Sequence, residues 1–179
     1  MNSLAVRNGL IVDIGGGSME LSRVRERQPI QSVTLPAGAV RLTEAFIRAD
    51  PPRPAEVRAL TRYVEYMLAG LSWIEAGRND VLIGMGGTIR ALAKIDQRLR
   101  GYPLYRVHGY VLTLRAIEDI LHDLQRLPLS KRKRIPGLSG DRADVILGGA
   151  IALAQVMRRA GYAEATVSGQ LCYIYLQAR

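Results

Sequence analysis

The residues best suited to chemistry lie in one short segment near the start of the sequence, where positions 13–20 read DIGGGSME. Three successive glycines bring several backbone N–H groups within reach of one anion, with no side chain in the way. The Ser18 hydroxyl adds a donor, and the carboxylates of Asp13 and Glu20 flank the loop. A carboxylate beside a phosphate cradle fits a bridging Mg²⁺, since hard oxygen ligands suit that ion. The segment predicts a phosphate site; a glycine-rich hairpin turn is the alternative interpretation.

A second glycine loop, which reads GMGGT over 84–88, follows a short apolar run and opens a helix. Free N–H groups and the helix dipole would there face an incoming anion, and Arg90 could add a fork of donors. The alternative is a tight strand-to-helix turn in which Thr88 is the N-cap. Neither loop is a Walker A motif, because no lysine lies in either. The first loop also enters a strand, which excludes a dinucleotide fingerprint.

The elements that position these loops follow from the apolar pattern, which predicts one α/β domain with a mixed sheet. We expect Thr113 to cap a helix that runs through Leu127. A pair of glycines at 148 and 149 is expected to let helices pack closely. The strands are expected at 9–14, 19–25, 30–35, 80–84 and 165–168, the helices at 39–47, 54–77, 88–99, 113–127 and 140–160, and a loop at 129–140.

The composition is that of one ordinary globular domain with a surplus of positive charge. The 179 residues include 25 Lys plus Arg and 16 Asp plus Glu, a formal net charge of +9, which predicts attraction to polyanions. Arginine carries nearly all of this charge, which suits phosphate recognition, although a compositional bias of the source genome explains it at least as well. The basic run at 131–134 could steer a polyanion or be an ordinary solvated loop.

Several classes of site are excluded. Cys172 is the single cysteine, so no intramolecular disulfide or multi-cysteine metal site can form. His108 and His122 lack zinc-ligand spacing and give no support to a Ser-His-Asp triad. The longest apolar stretch, 145–157, is too short to span a bilayer, and no signal peptide is apparent. We therefore expect a cytoplasmic protein without a membrane partner.

Five blocks in order give the chain a resemblance to the exopolyphosphatase/guanosine pentaphosphatase (Ppx/GppA) family. They lie at 13–21, 35–43, 84–88, 135–138 and 142–146, the last followed by a match at 149–150, and the similarity runs from about Val6 to Gly169. The resemblance implies a ribonuclease H-like domain of the actin/Hsp70/sugar-kinase superfold, with a mixed sheet flanked by helices. It also implies removal of the terminal phosphate from inorganic polyphosphate or guanosine pentaphosphate, with Mg²⁺.

Matching the family's motifs residue by residue implies specific roles. Asp13 would bind the metal, and Glu20 would act in catalysis by orienting the metal or a water. Phosphate would be held by two sets of residues, with Arg90 close by: Gly15, Gly16, Gly17 and Ser18 in the first loop, and Gly86, Gly87 and Thr88 in the second.

The sequence departs from the family in two respects. Residues 1–179 resemble only the second, C-terminal lobe of a two-lobe core. The first lobe, with its own phosphate loop and a glutamate thought to activate water, is not found in this sequence. The family's usual Arg-Glu-Gly segment after the last strand has no counterpart at 171–175.

We therefore expect a lobe that is inactive alone. Its partner would be the missing lobe or a second copy of the chain, which would pack on an exposed apolar surface. The alternatives are a non-catalytic module that binds polyanions or phosphate, and the nucleotide half of a sugar kinase. We expect no nucleic-acid partner.

Overall fold

A computed structural model describes residues 6–77, 79–104 and 106–169 of the chain. Over these residues it has six strands, six helices and two 3₁₀ turns, at Ser72–Ile74 and Gly140–Arg142. The strands are β1 (Gly9–Ile14), β2 (Met19–Arg25), β3 (Gln28–Leu35), β4 (Val81–Met85), β5 (Val111–Thr113) and β6 (Glu164–Val167). The helices are α1 (Ala39–Phe46), α2 (Pro54–Ala69), α3 (Gly87–Leu99), α4 (Leu114–Arg126), α5 (Leu129–Arg132) and α6 (Ile146–Ala160).

The strands form one mixed sheet in the order β3-β2-β1-β4-β6-β5. The first three strands form an antiparallel meander, β1, β4 and β6 run parallel, and β5 pairs antiparallel with β6. Carboxyl ends of parallel strands meet at one edge of a sheet, and ligands of α/β proteins bind at that edge. The two glycine loops follow β1 and β4, so the topology brings them together.

The larger hydrophobic core lies on one face of the sheet. Leu10, Val12 and Ile14 of β1 belong to it, together with buried residues of α1–α4 and α6. The alternate position, Ile11, belongs to a smaller cluster with Ile83 and Met85, because successive side chains of a strand point to opposite faces. Helix α6 is buried along nearly its whole length, so it is the central element of the helical layer.

The predicted strands β1 and β2, the start of α1 and the Thr113 cap are confirmed. The hydroxyl oxygen of Thr113 accepts a hydrogen bond from the Ala116 N–H at 3.1 Å. The glycine pair at 148 and 149 also acts as expected. A β-carbon at Gly148 would stand 2.9 Å from the carbonyl oxygen of Ala39, and one at Gly149 would stand 2.5 Å from the hydroxyl of Thr88. Helix α6 therefore packs closely on the starts of α1 and α3.

Two predicted helices are too long, and one strand was not foreseen. Helix α2 ends at Ala69 because Gly70, a poor helix former, is its C-cap; Ile74 is buried through the following 3₁₀ turn instead. Helix α6 begins at Ile146, not near 140, because 140–142 form a separate 3₁₀ turn. Strand β5 is only three residues long, too short for its alternation to be recognised.

The basic run at 131–134 is not the ordinary solvated loop that one of the two interpretations predicts. Its first two residues end α5, and Arg132 is only 4% exposed. The Arg132 guanidinium donates to Asp50 Oδ1 at 2.9 Å, and the Leu129 N–H donates to the same carboxylate. Lys131, Lys133 and Arg134 are exposed, so the run offers three accessible cations instead of four.

Exposed large apolar side chains occur on several elements of the described chain: Ile30, Val40, Tyr66, Val81, Leu99, Tyr102, Leu104 and Val111. Three of them lie together in sequence at the end of α3. That a first lobe or a second copy packs on such a surface stays a prediction. Among the described residues, no helix has both the length and the apolar character needed to cross a membrane. Cys172 lies outside the described residues.

A buried ion network stabilises the end of the sheet opposite the glycine loops. The carboxylate of Asp80 is 1% exposed and accepts hydrogen bonds from Arg23, at 2.8 Å, and from Arg25. The Gly77 N–H donates to Asp80 at 2.8 Å, and Arg23 also donates to the carbonyl oxygens of Trp73 and Glu75. Burial alone would raise the pKa of Asp80, but these hydrogen bonds and charges lower it below its ordinary value.

We predict that Asp80→Asn lowers the free energy of unfolding at pH 7 by about 3 kcal/mol, because removing one partner leaves buried guanidinium charge uncompensated. A lowered native pKa contributes stability that is present above the unfolded pKa and lost as pH falls through the native one. The difference between the two proteins should therefore shrink in urea unfolding below the ordinary pKa of 3.8. Asp119→Asn, at an exposed ion pair on α4, is the control. Equal effects of the two substitutions would contradict the assignment.

Candidate functional site

The first glycine loop, residues 15–18, is fixed by the start of α1. The N–H of Ala39 donates to the Gly15 carbonyl at 2.9 Å, and those of Val40 and Arg41 donate to the Gly16 carbonyl at 3.0 and 3.1 Å. These are helix N-terminal donors that lack partners within the helix. In a planar trans peptide the carbonyl and the next N–H point in opposite directions. The N–H groups of Gly16 and Gly17 therefore point away from α1.

Gly38 makes this contact possible. A β-carbon at Gly38 would overlap the carbonyl group of Gly16 and the carbonyl carbon of Gly17. Backbone atoms cannot yield as a flexible side chain does, so any larger residue at 38 would displace the loop. The Arg41 side chain adds a further tie, since its Nε donates to the Gly17 carbonyl at 3.0 Å.

The glycines of the loop itself are not required by its conformation. The loop does close a hairpin between β1 and β2, with the Gly15 N–H bonded to the Ser18 carbonyl at 3.0 Å. None of the three glycines has φ in the left-handed region. A β-carbon at Gly17 would have no atom within 4 Å, and one at Gly15 would meet nothing closer than 3.5 Å. Other residues would fit this hairpin, so what the glycines provide is an open outer surface.

Asp13 and Glu20 form a pair beside the loop. They are directly opposite each other in the β1–β2 ladder, where side chains on one face lie close together. Burial raises the pKa of the Asp13 carboxyl; the Glu20 carboxylate raises it further, and the Arg90 guanidinium opposes both. Two neighbouring carboxylates are the oxygen donors that a hard divalent cation prefers. No group of three metal-ligating side chains occurs in the described part of the chain. A cation bound by this pair of carboxylates would therefore need further ligands besides them.

The second glycine loop crosses the end of β1. Gly86 has φ +93°, and a β-carbon there would overlap the Ile14 carbonyl oxygen and stand 2.8 Å from Asp13 Oδ1. Here glycine is required by both conformation and space. Gly86 is also the N-cap of α3, and its carbonyl accepts from Arg90 Nε at 3.2 Å. The first turn of α3 and Arg90 therefore lie beside the Asp13 carboxylate.

Arg142 lies against the beginning of α3. A β-carbon at Gly87, the first residue of the helix, would overlap the Arg142 guanidinium. A cation at a helix N-terminus is unfavourable, since that end of the helix attracts anions. An anion bound between the guanidinium and the helix would make this arrangement favourable, because the anion would be attracted to both.

Thr88 is not the N-cap of α3, contrary to one interpretation of its position. The cap is Gly86, and no side chain supplies a capping hydrogen bond. Thr88 is 3% exposed, and its hydroxyl is the nearest atom to a β-carbon at Gly149. The structure therefore places Thr88 between α3 and α6, behind the loop surface that an anion would meet.

The structure brings together most residues that the sequence singled out: Asp13, Gly15, Gly16, Gly17, Ser18, Glu20, Gly86, Gly87 and Arg90 surround the carboxyl ends of β1 and β4. The roles of Gly38 and Arg41 were not foreseen, nor was the contact of Arg142 with Gly87. Gly38 and Arg142 lie in blocks that carry the family resemblance, but each acts on a loop distant in sequence, which no local pattern reveals.

Comparisons with known proteins indicate one family. A model of the Ppx/GppA phosphatase family matches residues 2–170. Exopolyphosphatase 1 of Mycobacterium leprae is 32% identical over 149 residues, which cover 82% of this chain and 44% of that protein. Exopolyphosphatase 2 of Mycobacterium tuberculosis is 34% identical over 167 residues, covering 89% of this chain and 51% of the relative.

A solved structure of the Aquifex aeolicus member of the Ppx/GppA family superposes with a TM-score of 0.79 at 31% identity, over 90% of this chain and 52% of that one. The chain thus spans about half the length of the relatives it matches. Ppx/GppA proteins have the ribonuclease H-like fold of the actin/Hsp70 superfold, so the predicted fold class is confirmed. The order of strands, the two glycine loops and these similarities lead to one conclusion: the chain belongs to the Ppx/GppA phosphatase family.

Proposed function

We propose that the chain is one lobe of a phosphohydrolase that removes terminal phosphate from inorganic polyphosphate, with Mg²⁺ as the cofactor. The observation that carries the proposal is the open glycine loop: the carbonyls of Gly15 and Gly16 are bound to the start of α1, and all three of its glycines are exposed. The exopolyphosphatase names of the relatives support polyphosphate as the substrate class. Guanosine pentaphosphate is the alternative phosphate donor.

The residues of the site suggest separate roles for its two loops and its carboxylates. The N–H groups of Gly16 and Gly17 and the hydroxyl of Ser18 would hold the terminal phosphate, and Arg90 and Arg142 would bind oxygens on the side of α3. Asp13 would bind Mg²⁺, and Glu20 would orient the metal or the attacking water. When bound, Mg²⁺ would neutralise charge that develops on the phosphate oxygens.

The competing function is a non-catalytic module that binds polyanions through its net charge. The burial of Arg132 against Asp50 reduces the accessible charge of the 131–134 run, which weakens this alternative. Salt dependence separates the two functions. Binding through surface charge alone should fall steeply with salt and should not depend on the glycine loop.

We predict that Gly17→Val weakens binding of tripolyphosphate at least about tenfold, because a side chain would stand where the phosphate approaches. The fold should tolerate it, since no atom lies within 4 Å of the new β-carbon. Melting temperature should change by less than about 3 °C. Isothermal titration calorimetry in Mg²⁺ measures the affinity.

Gly70→Val is the matched control for this substitution, since Gly70 also has open space around its β-carbon and lies at the far end of α2. Its affinity for tripolyphosphate should equal that of the unchanged chain. Unaltered binding by Gly17→Val, with a steep salt dependence, would favour the polyanion module over the phosphate site.

We predict that Asp13→Asn removes the stabilisation that Mg²⁺ and phosphate together give to the fold. A ligand that binds only the native state raises the melting temperature, and Asn keeps the shape of Asp without its charge. The measurement is thermal unfolding at increasing Mg²⁺ with tripolyphosphate present. Asp123→Asn, at an exposed position of α4, should leave the Mg²⁺ response intact. A normal response in Asp13→Asn would show that the metal binds elsewhere.

We predict that the 179-residue chain binds polyphosphate but releases phosphate no faster than a protein-free control. General base catalysis requires a base within hydrogen-bond reach of the attacking water, in a site that excludes bulk water. The carboxylates of this lobe, Asp13 and Glu20, are assigned to the metal and to orientation. Phosphate release from long-chain polyphosphate with Mg²⁺ is the assay, and sustained turnover by this chain would contradict the need for a second lobe.

A further inference from the structure

The solvent face of α3 carries a row of cations. The buried residues of this helix face α6, α4 and the sheet. Its solvent side carries Arg90, Lys94 and Arg98, spaced four residues apart and therefore aligned along one face. The one carboxylate of the helix, Asp96, is buried and bound to Tyr110 and Arg100. Like charges at this spacing repel each other, so the stripe gains stability when an anion lies along it.

The stripe begins at the phosphate site. Arg90 donates to the Gly86 carbonyl and lies close enough to Asp13 to affect its ionisation. Helical side chains lean toward the N-terminus of their helix, which here is the glycine-loop end. At 1.5 Å per residue, Lys94 lies roughly 10 Å and Arg98 roughly 16 Å beyond Gly87 along the helix axis.

A second segment runs beside α3 in the opposite direction. Gly137, with φ +92°, packs on the backbone of Lys94, where a β-carbon would stand 2.6 Å from the carbonyl carbon. Five residues later the Arg142 guanidinium lies against Gly87. Segment 137–142 therefore runs along α3 from Lys94 to the second glycine loop, beside the basic stripe.

At the far end of this stripe is an open pocket of about 440 Å³. Lys94 and Arg98 line it on the helix side, with Gln97, Tyr102 and Ser139 around them, and the described residues that line it include no carboxylate. Its size is within the range of small-ligand sites. It offers cations and polar groups, which suit phosphate oxygens.

We propose that a linear polyphosphate chain, held at its terminal phosphate by the glycine loops, extends along α3 over Arg90 and Lys94 into the pocket at Lys94 and Arg98. The proposal rests on the proposed function, since it places the distal phosphates relative to that site. It assigns to this lobe a preference for long chains over short ones. Tripolyphosphate ends before the pocket, whereas a longer chain contacts two more cations.

The test compares tripolyphosphate with long-chain polyphosphate on the full 179-residue chain, by calorimetry at matched salt. The Lys94→Gln/Arg98→Gln double variant should bind long chains about tenfold more weakly, since two exposed charge contacts are removed. Its affinity for tripolyphosphate should remain within about twofold. The salt dependence of long-chain binding should also become shallower, as expected when phosphate contacts are lost.

The matched control is Arg58→Gln/Arg62→Gln, which removes two exposed cations at the same spacing from α2. It lowers the net charge equally but leaves α3 intact, so long-chain binding should be retained. Equal losses in the two double variants would overturn the proposal in favour of general attraction by net charge. Circular dichroism melts confirm that both variants fold.

Three further outcomes also decide the question. If the α3 variant loses guanosine triphosphate affinity as strongly as long-chain affinity, the pocket binds a nucleoside and the proposal is wrong. If the unchanged chain fails to bind tripolyphosphate, the phosphate site itself is wrong and the proposed function fails with it. Normal binding of tripolyphosphate with no preference for long chains would overturn only the proposed path of the chain along α3.

Discussion

The site depends on the contact between the first glycine loop and the beginning of α1. The first N–H groups of the helix need acceptors from outside the helix, and the carbonyls of Gly15 and Gly16 supply them. The same hydrogen bonds determine the direction of the loop's own N–H groups, because each peptide unit is planar and trans. Gly38 permits the approach. The outward N–H groups of the loop are therefore oriented by a helix that begins more than twenty residues later in the sequence.

Helix α6 extends this arrangement to the second loop. Gly148 and Gly149 allow it to pack against Ala39 at the start of α1 and Thr88 at the start of α3. Since both helix starts contact one buried helix, the two glycine loops are held at fixed positions relative to each other. The close packing of α6 thus contributes to the site without any of its residues facing the ligand. Side chains larger than glycine at these two positions would separate the loops.

The sequence was sufficient for much of the fold, for reasons visible in particular elements. The apolar run at 9–14 is followed by glycine and the alternation at 19–25 by a charged residue, and both strands have the predicted limits. That both glycine loops meet at one edge follows from parallel strand order. Local patterns could not reveal Gly38 against Gly16, Arg132 against Asp50 or Arg142 against Gly87. Each of these contacts joins segments distant in sequence, and each changes what a nearby motif does.

The charges around the site would favour the binding of a phosphate together with a divalent cation. Arg90 and Arg142 lie at the start of α3, where the helix dipole disfavours cations. Asp13 and Glu20 lie side by side on neighbouring strands, and burial adds to the cost of ionising Asp13. A phosphate bound here would reduce the repulsion between the two arginines, and a divalent cation would reduce that between the two carboxylates. If the phosphate also supplied oxygen ligands to the cation, each ligand would increase the affinity of the other, and by linkage the two effects would be equal.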